Sequence, residues 1–135
     1  MLLQNVEQKT MIQTFSIPLK PISWNVLLRK HYWTVKKVFD EWKGATLWAV
    51  REGKIKPVTS YPIQIIVEAR WKQKRVHDID GLVFKPILDA LVDCGILKAD
   101  NLNHVAEVVH RGKIGQEQDQ LIITIIENYD TRTNG

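Results

Sequence analysis

The apolar positions change period several times along the chain, and each change marks an element. Residues 13–18, QTFSIP, alternate and predict a short strand closed by Pro18, which has no N–H to give to a ladder. From 19 to 32 the pattern lapses, and Pro21 with Ser23, Trp24 and Asn25 supplies turn chemistry. From 33 to 51 apolar side chains recur at three- and four-residue steps: Val35, Val38, Phe39, Trp42, Ala45, Ala49 and Val50. Lys36, Lys37, Asp40 and Lys43 fall between them, so the stretch predicts an amphipathic helix, stopped by Gly53. After the linker KIKPVTSYP, residues 63–71, IQIIVEARW, are rich in β-branched residues and predict a strand central in a sheet. Residues 86–93, PILDALVD, predict a second helix, with Pro86 at its first position and Gly95 at its C-terminal cap. Residues 104–111 and 121–128 predict two strands, with GKIGQEQDQ as the turn between them.

The order strand, helix, strand, helix, strand, strand predicts one α+β domain. Its sheet is expected to be mixed, with about four strands and two main helices on one face. The domain is expected over 13–128, with a loose polar arm at 1–12 and a tail at 129–135. A chain of 135 residues, 44% hydrophobic and 25% charged, can bury a core and is not expected to be disordered. The net charge of +4 permits a polyanionic partner without establishing one. The single cysteine, Cys94, excludes an internal disulfide, and its place at an apolar helix end predicts a buried, inert thiol. No apolar run reaches membrane-spanning length, and residues 1–15 lack the apolar core of a signal peptide. A cytoplasmic protein without a membrane partner is expected. Of the five tryptophans, Trp24, Trp42 and Trp48 are expected in the core.

The densest chemistry lies at 70–81, RWKQKRVHDIDG. Arg70, Lys72, Lys74 and Arg75 run without an acid into Asp78 and Asp80. In extended backbone, residues two apart share a side, so the two carboxylates repel unless a cation, a proton or water separates them. A hard divalent ion resolves that repulsion. A surface turn after a solvated hairpin arm explains the same letters. Alternation puts Arg70, Lys72 and Lys74 on one parity and Arg75 on the other. Further on stand Lys85, Asp89 and Asp100, and the return of the chain after the second helix is expected to bring Asp100 toward Asp78 and Asp80. Asp89 reads equally as an acid in the first turn of a helix, favoured by the dipole. A second basic stretch, LLRKHYWTVKK, sets Arg29, Lys30, His31, Lys36 and Lys37 around Tyr32 and Trp33. That interleaving suits unstacked bases, although a helix start with Trp33 in the core fits too. His77 reads as a surface histidine, and His104 and His110 fall on one face of the third predicted strand.

The stretch DIDGLVFKPILDALVDCGILKAD resembles the signature of the RusA family of Holliday-junction resolvases. That signature reads Asp-x-Asp-Asn-x-x-Lys, then Leu-Asp-Ala-Leu, a Gly and an acidic pair. FSIPLKPISWN is similar to the family's opening strand and its Pro-Ser-x-Asn turn. The resemblance covers most of 14–127 and is densest from 76 to 101. It matches Asp78 and Asp80 to the metal-binding aspartates, Lys85 to the essential lysine, and Asp89 to the helical aspartate. Asp100 matches the second, catalytic member of the acidic pair. Gly81 replaces the usual Asn, Ala99 replaces the first acid of the pair, and one extra residue separates Asp80 from Lys85. Such an insertion turns a helical side chain by about 100°, unless the backbone before Pro86 is not helical and absorbs it.

The resemblance implies an endodeoxyribonuclease dependent on Mg²⁺, with Mn²⁺ as a substitute, that resolves four-way branched DNA as a homodimer and is often a phage or prophage product. In that reading Asp78, Asp80 and Asp100 hold the metal, Lys85 stabilises charge on the phosphate, and Asp89 orients Lys85 or a water. Two other expectations stand beside it: a non-catalytic basic DNA-binding module, and a nuclease of the same site design acting on flaps, forks or single strands.

Overall fold

The structure is a computed structural model and describes residues 11–74 and 81–129. Its elements are β1 (Ile12–Ile17), α1 (Trp24–Leu27), α2 (Tyr32–Glu52), β2 (Ile63–Arg70), α3 (Lys85–Asp93), β3 (Val105–Lys113) and β4 (Gln120–Ile126). The four strands form one sheet in the order β1-β4-β2-β3. β4 runs antiparallel to β1 and to β2, whereas β2 and β3 are parallel. A parallel pair needs a crossover, and α3 supplies it. The chain is thus a single α+β domain with a mixed sheet and two long helices, as the periodicity predicts.

β2 explains its own burial. Ile63, Ile65, Val67 and Ala69 are fully buried, and their alternates Gln64, Ile66, Glu68 and Arg70 are half-buried. Leu121, Ile123 and Ile125 of β4 meet them in register, with Ile65 opposite Ile125 and Val67 opposite Ile123. Each fully buried Ile or Val contributes about 1.5–3 kcal/mol. α2 buries Trp42, Thr46 and Ala49 and packs Val35, Val38, Phe39 and Val50 against the same core. The buried Thr46 hydroxyl is satisfied by donating to the Trp42 carbonyl at 2.7 Å. Gly53 stops α2 in a right-handed conformation, and Lys54 is the residue that takes positive φ (52°). Glu127, 3% exposed, accepts from the Thr59 and Ser60 amides at 3.1 and 3.0 Å and from the Thr59 hydroxyl at 3.3 Å. That carboxylate pins the linker to the end of β4.

Several expectations need correction. Cys94 is exposed, because the α3 C-cap turns it outward beyond the buried Leu91. Trp48 is half exposed on the far flank of α2, where it lines a groove of about 430 Å³ with Phe15, Glu52 and Ile122. Trp24 only partly reaches the core, edge-on to Phe39 at 5.8 Å. The turn-like SWN opens the short helix α1, in which Ser23 caps the Val26 amide at 3.3 Å. Ile12 already belongs to β1, and Tyr129 is tied back by its amide to the Pro62 carbonyl at 2.8 Å. Among the described residues no helix is long and apolar enough to cross a membrane.

Candidate functional site

β2 ends at Arg70, but its alternation runs on through the buried Trp71 to the exposed Lys72, and stops where 72–74 are all exposed. Trp71 is 4% exposed; its indole donates to the Pro21 carbonyl at 3.2 Å and its amide to the Lys113 carbonyl at 2.9 Å. The Lys72 amide donates to Asp119 at 2.8 Å. The Lys74 stem lies 3.4 Å from where a Cβ on Gly115 would stand. The burial of Trp71 between Arg70 and Lys72 fits the parity expected of those two, and the bend at 72–73 ends the alternation before Lys74. Arg70 is also committed: its Nε lies 2.6 Å from Glu68, which Lys113 approaches at 3.8 Å as well. Residues two apart on a strand share a face, so this Glu68–Arg70 contact was legible in the sequence. Arg75, His77, Asp78 and Asp80 lie outside the described residues.

Downstream of the aspartates the chain is anchored at once. The Gly81 carbonyl accepts from Trp24 at 2.8 Å, Leu82 bridges Ser23, and the Val83 amide donates to Ile22 at 2.9 Å. Gly81 carries φ +81°. Gly and Asn are the residues that enter that region most readily. Phe84 is the N-cap of α3 and Lys85 its first residue. The four residues between Asp80 and Lys85 are thus not helical. Lys85 Nζ stands 3.5 Å from Asp89 Oδ1, one helical turn along, with the two side chains 62% and 26% exposed. Asp89 is in the second turn of α3; the first turn carries no acid.

Asp100 is placed differently from expectation. Beyond α3 the Ile96 carbonyl accepts from Val58, and the Lys98 amide donates to the Tyr61 hydroxyl at 2.9 Å. The Asn101 carbonyl then accepts from His104 and Val105 at 3.0 and 2.8 Å, and Val105 pairs with Ile63, the first residue of β2. The exposed Asp100 therefore sits at the end of the sheet where β2 begins. Arg70 is at the other end, about 23 Å along the strand. Lys85 and Asp100 lie on opposite ends of α3, a helix about 12 Å long. The parallel crossover carries the chain away from the end of β2 rather than back to it.

His104 and His110 do not share a strand face. His104 precedes β3, its Nδ1 2.8 Å from Asn101 Oδ1 and its ring edge-on to Tyr61 at 4.8 Å. His110 is in β3 opposite Val67, edge-on to Phe84 at 6.4 Å. Among the described residues its buried Nδ1 has no hydrogen-bond partner, and burial lowers its pKa from the usual 6.5. Composition gave no signal for that nitrogen.

The other basic stretch forms an exposed corner between α1 and α2. Tyr32 and Trp33 are 66% and 65% exposed, so Trp33 is not a core residue. Arg29, Lys30, Lys36 and Lys37 are exposed around them, and none forms an ion pair among the described residues. Among the described residues no three His, Cys, Asp or Glu side chains stand together as a metal site. No protein-family model matches the chain, and a comparison with curated proteins finds no match.

Proposed function

We propose that the chain is a metal-dependent endodeoxyribonuclease of the RusA type, resolving four-way DNA junctions by paired nicks in recombination and repair. The observation that carries this reading is the start of α3. There Lys85 stands one turn from Asp89 at 3.5 Å, directly after a left-handed Gly81 and the Asp78–Asp80 pair. Asp78, Asp80 and Asp100 offer hard oxygen donors, which suit Mg²⁺ or Mn²⁺. The chemistry such an ion supplies when bound is a lowered water pKa and neutralised phosphate charge. Lys85, exposed and only loosely held, is free to turn its ammonium to a phosphate oxygen, and Asp89 keeps it near the helix start. Lys72 and Lys74 attract the backbone, and Arg70 contributes less because Glu68 neutralises it. Two opposed nicks call for two sites, hence a homodimer.

The test is nicking of a four-way junction with Mg²⁺ by the parent and by Asp80→Asn. The variant is expected to lose at least about 100-fold in rate while still binding the junction. Equal cutting by both sinks the enzyme. The exposed aromatic corner favours a second reading, a nuclease of the same design acting on flaps, forks or single strands. Cleavage of a panel of branched and linear DNAs separates the two, and equal cutting of linear duplex sinks both structure-selective readings.

A further inference from the structure

The α1–α2 corner is built unlike the rest of the surface. Val26, Leu28, Tyr32 and Trp33 leave large apolar groups in water within a few residues of each other. The inward face of the same helix takes Trp42 to 5% exposure, so the outward rings are a choice of position along the helix rather than a lack of core. The backbone that carries the rings is capped. His31 Nδ1 accepts from the Trp33 amide at 3.3 Å and caps a helix of 21 residues. Tyr32 and Trp33 meet edge to face, 5.0 Å between centroids at 74°, which leaves each at least one ring face clear of the other.

Charge surrounds the rings on both sides. Lys36 and Lys37 are three and four residues beyond Trp33, on its side of the helix. Arg29 and Lys30 precede the pair, and the first acid along α2 is Asp40. Flat rings between cations that have no carboxylate partner among the described residues match a strand whose bases are unpaired. Base faces stack on the rings while phosphates meet the cations. Intact duplex hides its base faces and would use only the cations. We infer that Tyr32 and Trp33 form a stacking platform for unpaired nucleobases, with Arg29, Lys30, Lys36 and Lys37 on the flanking phosphates. The inference rests on the nucleic-acid part of the proposed function and not on cleavage. It names the substrate feature that this corner recognises: single-stranded DNA at a branch or end.

The experiment measures binding without divalent metal by fluorescence anisotropy, using labelled oligothymidine and a fully paired hairpin. The double variant Tyr32→Ala/Trp33→Ala is expected to bind the single strand at least about ten-fold more weakly and to lose less than about two-fold on the hairpin. Tyr32→Phe and Trp33→Phe keep a ring and are expected to retain single-strand binding, which guards against a fold defect in the double variant. Lys36→Gln and Lys37→Gln should each reduce the salt slope of single-strand binding by about 0.7. Absence of single-strand binding by the parent, or equal losses on both DNAs, overturns the inference. So does binding only to phosphatidylserine vesicles that is lost in the double variant. A parallel assay of Asp80→Asn keeps the two readings apart: unchanged junction cutting there sinks the nuclease alone, and unchanged oligothymidine binding in the double variant sinks the platform alone.

Discussion

At Gly81, φ is +81° and nothing among the described residues lies within 4 Å of an added Cβ, so a substitution there feels backbone strain and meets no clash with them. Gly81→Ala is expected to cost about 1 kcal/mol and Gly81→Asn less, read from urea midpoints. Glu127 differs, because its loss strands two amides and a hydroxyl. Glu127→Ala is expected to cost about 2 kcal/mol in the same measurement. His110 sets a pH dependence. Its folded pKa lies below 6.5, so above that pH both states are neutral and its cost vanishes. As pH falls below 6.5 the unfolded state binds the proton first, and stability is lost at up to about 1.4 kcal/mol per pH unit. His110→Phe removes that slope and the unpaired nitrogen, so this variant is expected to be flatter between pH 7 and 5 in urea titrations. The glycine was legible as a turn residue. The histidine's burial was not, because the pairing of β3 slips between Ile63 and Gln64 and passes over Ala106, which resets the parity that a reader would carry from His104.

The long elements were legible because one face of each is decided by many residues at once. β2 alternates without exception in burial, and α2 repeats its apolar positions over five turns. α1 was not legible, because four residues hold no period and only the Ser23 cap marks it. α3 is where element and chemistry meet. Lys85 and Asp89 form an exposed pair one turn apart, which contributes no more than about 0.5 kcal/mol to the helix. Asp89→Ala should therefore leave the urea midpoint nearly unchanged, yet slow junction nicking by about ten-fold if it positions Lys85. Lys85→Ala should slow nicking by about 100-fold, with junction binding largely kept. A fall in stability that matches the fall in rate would assign the pair to the fold instead.

Over the whole molecule, the sheet's direction decides which functional residues can share a site. Strand, helix, strand in sequence reads as a parallel crossover, so the arrival of Asp100 at the start of β2 followed from a rule already available. Proximity along the sequence suggested the opposite end. Gly81, next in sequence to Asp80, is bonded to Trp24 beside the start of α3, while Asp100 stands beyond its finish. On the proposed reading the ion lies beside Lys85, and a two-fold partner can supply the carboxylate of Asp100, which its own chain holds beyond the finish of α3. Chains carrying Asp80→Asn and Asp100→Asn, each inactive alone, are then expected to regain nicking when mixed and allowed to exchange. Random pairing makes half of the dimers mixed, and each mixed dimer has one intact site of two, so about a quarter of the parental nicking returns. That activity should be single nicks, because the second site of each mixed dimer lacks both carboxylates. No recovery at any mixing ratio would place each site within one chain and remove Asp100 from the metal set.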